Sequence, residues 1–101
     1  MEIKIEKEEA TAVAILSGKL DSMSVPEVEE GLLDIAEDED LENIVLDCTD
    51  LEYIASSGLR LFFAIAKNAR TREARVVIKN PCDFVRQTLH MTGLSSMFEY
   101  E

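Results

Sequence analysis

The 101-residue chain has no tryptophan, one histidine, two cysteines and only ten lysines and arginines. Each shortage removes a class of function. Ten cations stand against 21 aspartates and glutamates, a net charge of −11, so a phosphate-backbone ligand is repelled and nucleic acid is excluded as a partner. A nucleophilic serine needs a base and an oxyanion hole, and the lone His90 falls on a helix well past its start, so no catalytic triad is expected. Cys48 and Cys82 are too few for a disulfide framework and lack metal-ligand spacing, so both read as reduced, partly buried thiols. Gly18-Lys19-Leu20-Asp21-Ser22 lacks the spacing of a phosphate-binding loop, and the acidic residues form no recognisable ligand set. No metal, cofactor or enzymatic activity is expected.

Long apolar runs are missing too. The longest, Leu61 to Ala66, falls far short of the roughly 20 residues a membrane helix needs. The opening MEIKIEKEE has neither the basic start and apolar segment nor the cleavage site of a secretory signal, so a cytoplasmic protein is expected. Apolar residues at 47% and charged residues at 31% are a globular balance, and the length suits one domain spanning 1–101. The acid gathers in Glu27, Glu29, Glu30, Asp34 and 37–40, read first as a solvated helix face and loop and second as a surface for a basic protein. Nothing in the pattern sets an oligomeric state.

Ile3 and Ile5 alternate with charged residues, the period of a half-buried edge strand. Residues 12–16, AVAIL, are apolar on both faces and read as an interior strand joined to the first by a hairpin. Ser24, with Pro26 in the first turn and Glu27 three residues on, predicts a capped helix start. Val25, Val28, Leu32, Ile35 and Ala36 give that helix one apolar stripe. Two β-branched runs, 44–46 and 76–78, flank a helix from about Ser57 to Ala69, a βαβ unit. In that helix Leu59, Phe62, Ala66 and Ala69 form a stripe that Leu61, Phe63 and Ile65 widen, as for packing on both the sheet and a second helix. A third helix is expected from Asn80-Pro81, with Asn as its cap and Phe84, Val85 and Leu89 turned inward, ending at Gly93. Residues 97–100 read as a short last strand. The expected fold is α/β, a mixed sheet of four to five strands with three helices packed against it, in the order β-β-α-β-α-β-α-β.

If the strands near 12, 44 and 76 are parallel, right-handed crossovers bring the loops Leu20–Ser24, Cys48–Ser57 and Asn80–Cys82 to one sheet edge, where ligands of open α/β sheets bind. The middle loop ends in YIASSGLR, residues 53–60. Ser56 or Ser57 reads locally as a helix N-cap, with Gly58 allowing tight packing of the first turn. A cap hydroxyl lies at the positive end of the helix dipole, where a phosphate is tolerated, and Arg60 is one turn beyond Ser56.

Four segments together resemble the STAS domain family, in particular its anti-sigma factor antagonists, across essentially the whole chain. They are LSGKLDSMSVPEVEEGLL, ENIVLDCTDLEYI, SSGLRLFFAIAKNAR and VRQTLHMTGLSSMF. The resemblance implies a non-catalytic, phosphorylation-switched binding module. Its Ser56 is the residue that an anti-sigma factor, itself a serine kinase, phosphorylates. The unmodified domain binds that kinase and frees the sigma factor, and a serine phosphatase restores it. By the same resemblance Asp21, Ser22, Ala55, Ser57, Gly58 and Arg60 make up the partner-binding surface; the local reading of Asp21 is a cap on the approach to the first helix. Ala55 stands where the family usually has Asp, and Arg60 where a second Gly is common, and both departures touch the switch. They keep open a second expectation, a STAS domain without phosphorylation that serves as a scaffold or as a sensor of a small anion or nucleotide.

Overall fold

The computed structural model describes residues 1–101. Strands β1 (Glu2–Glu8) and β2 (Thr11–Leu20) lead into helix α1 (Val25–Glu37); β3 (Asn43–Ile54), α2 (Ser56–Arg70), β4 (Arg75–Lys79), α3 (Asp83–Met91) and β5 (Glu99–Tyr100) follow. The order is the one the sequence predicts. β1 is antiparallel to β2 across a tight turn in which Glu9 takes a positive φ of 55°. From β2 to β5 every pairing is parallel, in the sheet order β1-β2-β3-β4-β5, and each parallel connection carries a helix.

Alternation decides which face is covered. Ala12, Ala14 and Leu16 of β2, Ile44, Leu46 and Cys48 of β3, and Val76 and Ile78 of β4 share one core with Val28, Leu32 and Ile35 of α1, Phe62, Ile65 and Ala69 of α2, and Val85 and Leu89 of α3. Ile3 and Ile5 close its edge. Each such Val, Leu, Ile or Phe contributes about 1.5–3 kcal/mol, and a one-residue slip would turn a whole strand inside out, so the register is firmly held. Phe98 is buried edge-on to Phe62, with ring centroids 6.2 Å apart.

Two strands outrun their apolar patterns. β3 was expected at 44–46 but continues through Asp47, Thr49, Asp50 and Glu52 to Ile54, so most of the expected Cys48–Ser57 loop is strand. β2 lengthens beside it, pairing Ser17 with Asp50, Lys19 with Tyr53 and Leu20 with Ile54 after register shifts, one of them at Gly18 with φ 101°. Pairing and the buried Leu51 and Ile54 override the poor strand propensity of the acids. At the other end, the expected strand at 97–100 is only Glu99–Tyr100, preceded by a 3-10 turn over Ser95–Met97.

The third helix starts later than Asn80. Asn80 takes a left-handed φ of 53°, and Cys82 is the N-cap of α3. Its far end is a Schellman closure: the Gly93 amide donates to the His90 carbonyl at 3.1 Å and the Leu94 amide to the Leu89 carbonyl at 3.0 Å, with Gly93 at φ 78°. α1 has no cation in its own last turn, and Arg72 fills that place. From beyond α2 its guanidinium donates to the Ala36 carbonyl at 2.8 Å and also to the Leu41 carbonyl, locking the ends of α1 and α2 together. No helix is long and apolar enough to cross a membrane.

Candidate functional site

Parallel pairing brings the starts of α1, α2 and α3 to one edge of the sheet, as the sequence predicts. At α1 Ser24 is the N-cap, as the sequence predicts, but its side chain is turned to other partners. Ser24 makes no capping bond; its Oγ accepts from the Asp21 amide at 2.9 Å and donates to the Lys19 carbonyl at 2.7 Å. Asp21 closes the turn instead, its Oδ1 accepting from the Met23 amide at 3.0 Å and the Ser24 amide at 3.1 Å. Those two amides, Ser24 first, hold the carboxyl below the usual carboxylate range. The expected role of Asp21 in capping the approach to α1 is present. Ser22 beside it is exposed.

At α2 the reading of the serines as caps is wrong. Ala55 is the N-cap, with φ −98° and ψ 177°, and offers no side-chain acceptor. The first intrahelical bond runs from the Leu59 amide to the Ala55 carbonyl at 2.9 Å, and the Ala55 amide donates to Leu20 of β2 at 2.9 Å. Ser56 and Ser57 are therefore the first two helical residues. They differ in environment: Ser56 is exposed, whereas the Ser57 Oγ is enclosed without a hydrogen-bond partner. Gly58 is buried, and a β-carbon there would stand 2.8 Å from Ile54 Cγ1 and 2.9 Å from the Leu20 carbonyl oxygen. Only glycine lets the first turn lie this close to the end of β2. No carboxylate occupies that first turn, and Arg60 stands exposed one turn beyond Ser56.

Phe84 is a correction. Expected to point inward, it is 43% exposed and stacks on Tyr53, ring centroids 5.1 Å apart. Phe63, expected to widen the buried face of α2, also faces outward at 43% exposure, since Leu61, Phe62 and Ile65 already fill the inner surface. Met23, between Asp21 and α1, is 84% exposed. These apolar residues escape sequence reasoning because periodicity marks a residue as apolar but not as left uncovered. Ser56, Leu59, Arg60, Phe63, Thr92 and Leu94 line a depression of about 350 Å³ between α2 and the turn after α3. A larger recess of about 590 Å³, with His90 and Tyr100 in its wall, shares no lining residue with that depression.

Cys82 caps α3 at this edge, half-buried, with its Sγ 3.5 Å from the Leu51 carbonyl oxygen. Cys48 is fully buried in β3, its thiol pushed up to about 12 by burial, then by Asp47 and Cys82. Neither cysteine forms a disulfide.

A match to the STAS domain model covers residues 2–101. Among curated proteins, the putative anti-sigma factor antagonist BtrV of Bordetella bronchiseptica is 29% identical over 97% of this chain and 84% of its own length. The anti-sigma-B factor antagonist of Listeria monocytogenes is 26% identical over 96% and 85%. Among solved structures, the anti-sigma factor antagonist SpoIIAA in its unphosphorylated form superposes with a TM-score of 0.84 at 21% identity, covering 99% of this chain and 88% of that one. The Bacillus cell fate determinant SpoIIAA in the phosphorylated form gives 0.79 at 20%, covering 99% and 91%. At such identities the superpositions establish a shared fold. With all but its first residue inside the family match, this chain belongs to the STAS domain family.

Proposed function

We propose that this protein is an anti-sigma factor antagonist of the cytoplasm, with Ser56 as its phosphorylation switch. Unphosphorylated, it binds an anti-sigma factor that is also a serine kinase and so releases the sigma factor; phosphate on Ser56 ends the binding, and a serine phosphatase restores it. The observation that carries this reading is the position of Ser56, exposed as the first residue of α2 on the same sheet edge as the uncovered Met23, Tyr53 and Phe84. The names of the relatives and the existence of SpoIIAA in two phosphorylation states point the same way.

The chemistry is local. A phosphate there adds a charge of roughly −2 beside the positive end of α2 and within reach of Arg60, so the fold accepts it. The same charge, buried against a partner without its own counter-ion, costs several kcal/mol, and about 1.4 kcal/mol is a tenfold loss of affinity. No rearrangement of the core is needed. Ala55 leaves this start without the carboxylate that the family resemblance leads one to expect beside the serine, which weakens kinase recognition and makes it rest more on the surrounding surface.

Phosphopeptide mapping of the protein isolated from its host, grown with and without stress and with Ser56→Ala as control, tests the proposal. Phosphate on Ser56 that varies with growth conditions is the expected result. Complete recovery of an unmodified peptide under both conditions would overturn it.

A further inference from the structure

Building on the reading of the Ser56 edge as a docking surface, we infer that the depression beside Ser56 is a specificity pocket for one large apolar side chain of the partner protein with an acidic residue next to it. Leu59 and Phe63 form one wall and Leu94 the other, held there by the Schellman closure at Gly93. Leu59 and Leu94 pack against the core from below, while Phe63 stands 43% exposed, so the walls are anchored and the mouth is open.

Size and charge choose the occupant. At about 350 Å³ the depression is at the small end of ligand sites and is open to solvent, so a free small molecule would leave much of its surface in water. A protein segment brings the rest of its interface along and needs only an anchoring side chain here, the arrangement of an interface hot spot. Although the chain carries 21 carboxylates, none lines the depression, and its one charged residue is Arg60. A planar guanidinium at an apolar rim selects a carboxylate on the partner, by two parallel hydrogen bonds where the geometry allows. The pocket shares Ser56 in its wall, so a phosphate there competes directly for Arg60.

A displayed random-peptide library selected on the unphosphorylated full chain tests this, with Phe63→Ala and Arg60→Glu as comparison targets. Phe63 and Arg60 are surface residues, and circular dichroism confirms that each variant folds. Peptides with a large apolar residue within two positions of Asp or Glu are expected to dominate, to bind at least tenfold more weakly to Phe63→Ala, and to give way to apolar-basic peptides on Arg60→Glu. Because the peptides are selected on unphosphorylated protein, their response to Phe63→Ala and Arg60→Glu is read independently of whether Ser56 is a phosphorylation switch, so failure of the pocket and failure of the switch are told apart. Recovery of no such class, or of peptides insensitive to both Phe63 and Arg60, overturns the inference.

Discussion

The starts of α1 and α2 lie on the same edge of the same sheet and are finished in opposite ways. At α1, Asp21 and Ser24 accept the Asp21, Met23 and Ser24 amides, and the Ser24 hydroxyl also donates to Lys19, so the turn is sealed. At α2, Ala55 caps nothing, Ser56 is exposed and the first turn carries no acid. What holds α2 in place is packing, with Gly58 pressed on Leu20 and Ile54. The difference teaches that a helix start can be fixed from below by close contact while its polar groups stay available above. An incoming negative charge finds positive dipole and free amides at α2, and a carboxylate at α1.

Breaking the contact from below has the largest expected effect. Gly58→Ala places a methyl 2.9 Å from a backbone carbonyl that has little room to yield, and destabilisation of about 2–3 kcal/mol is expected by urea denaturation. Unsealing α1 comes next: Ser24→Ala removes a buried hydroxyl with partners on Lys19 and Asp21, at a cost of about 1–2 kcal/mol by the same method. Making α2 resemble α1 has the opposite sign, since Ala55→Asp supplies the missing cap and is expected to stabilise the chain by about 1 kcal/mol, measured as a raised thermal midpoint. The smallest effect is in the pH dependence. The folded-state pKa of Asp21 is depressed below its ordinary value of 3.8, so its contribution is present above that value and lost as pH falls through the folded pKa. Asp21→Asn is expected to flatten the stability profile in that acid range and leave its slope near pH 7 unchanged.

Much of this was legible in the sequence, for reasons that also mark where legibility stops. Alternation in β1, the stripe of α1 and the βαβ spacing follow from burial on one face, and the edge carrying Ser56 follows from parallel crossovers. Gly58 and Gly93 were readable as a close approach and a helix end. The misplaced features are those decided by neighbours. β3 reaches Ile54 because β2 extends beside it, which Asp47, Asp50 and Glu52 conceal. At α1 the N-cap is the expected Ser24 but its hydroxyl is taken up by the Asp21 turn, whereas the caps of α2 and α3 fall at Ala55 and Cys82, where Gly58 packs on Leu20 and Ile54 and where Asn80 turns left-handed. Phe63 and Phe84 face outward because others already fill the core. An exposed aromatic and a buried one look alike in a sequence.

The most direct test of the open start of α2 is an amide-resolved NMR comparison of the full chain with serine and with genetically encoded phosphoserine at position 56, together with its thermal midpoint. Shifts confined to residues 55–60 and their immediate contacts, with the midpoint held or raised by a few degrees, are expected of a charge received at an unsealed helix start. Shifts spread through the core strands with a falling midpoint would contradict it, placing the effect of the phosphate in the fold rather than at the docking edge.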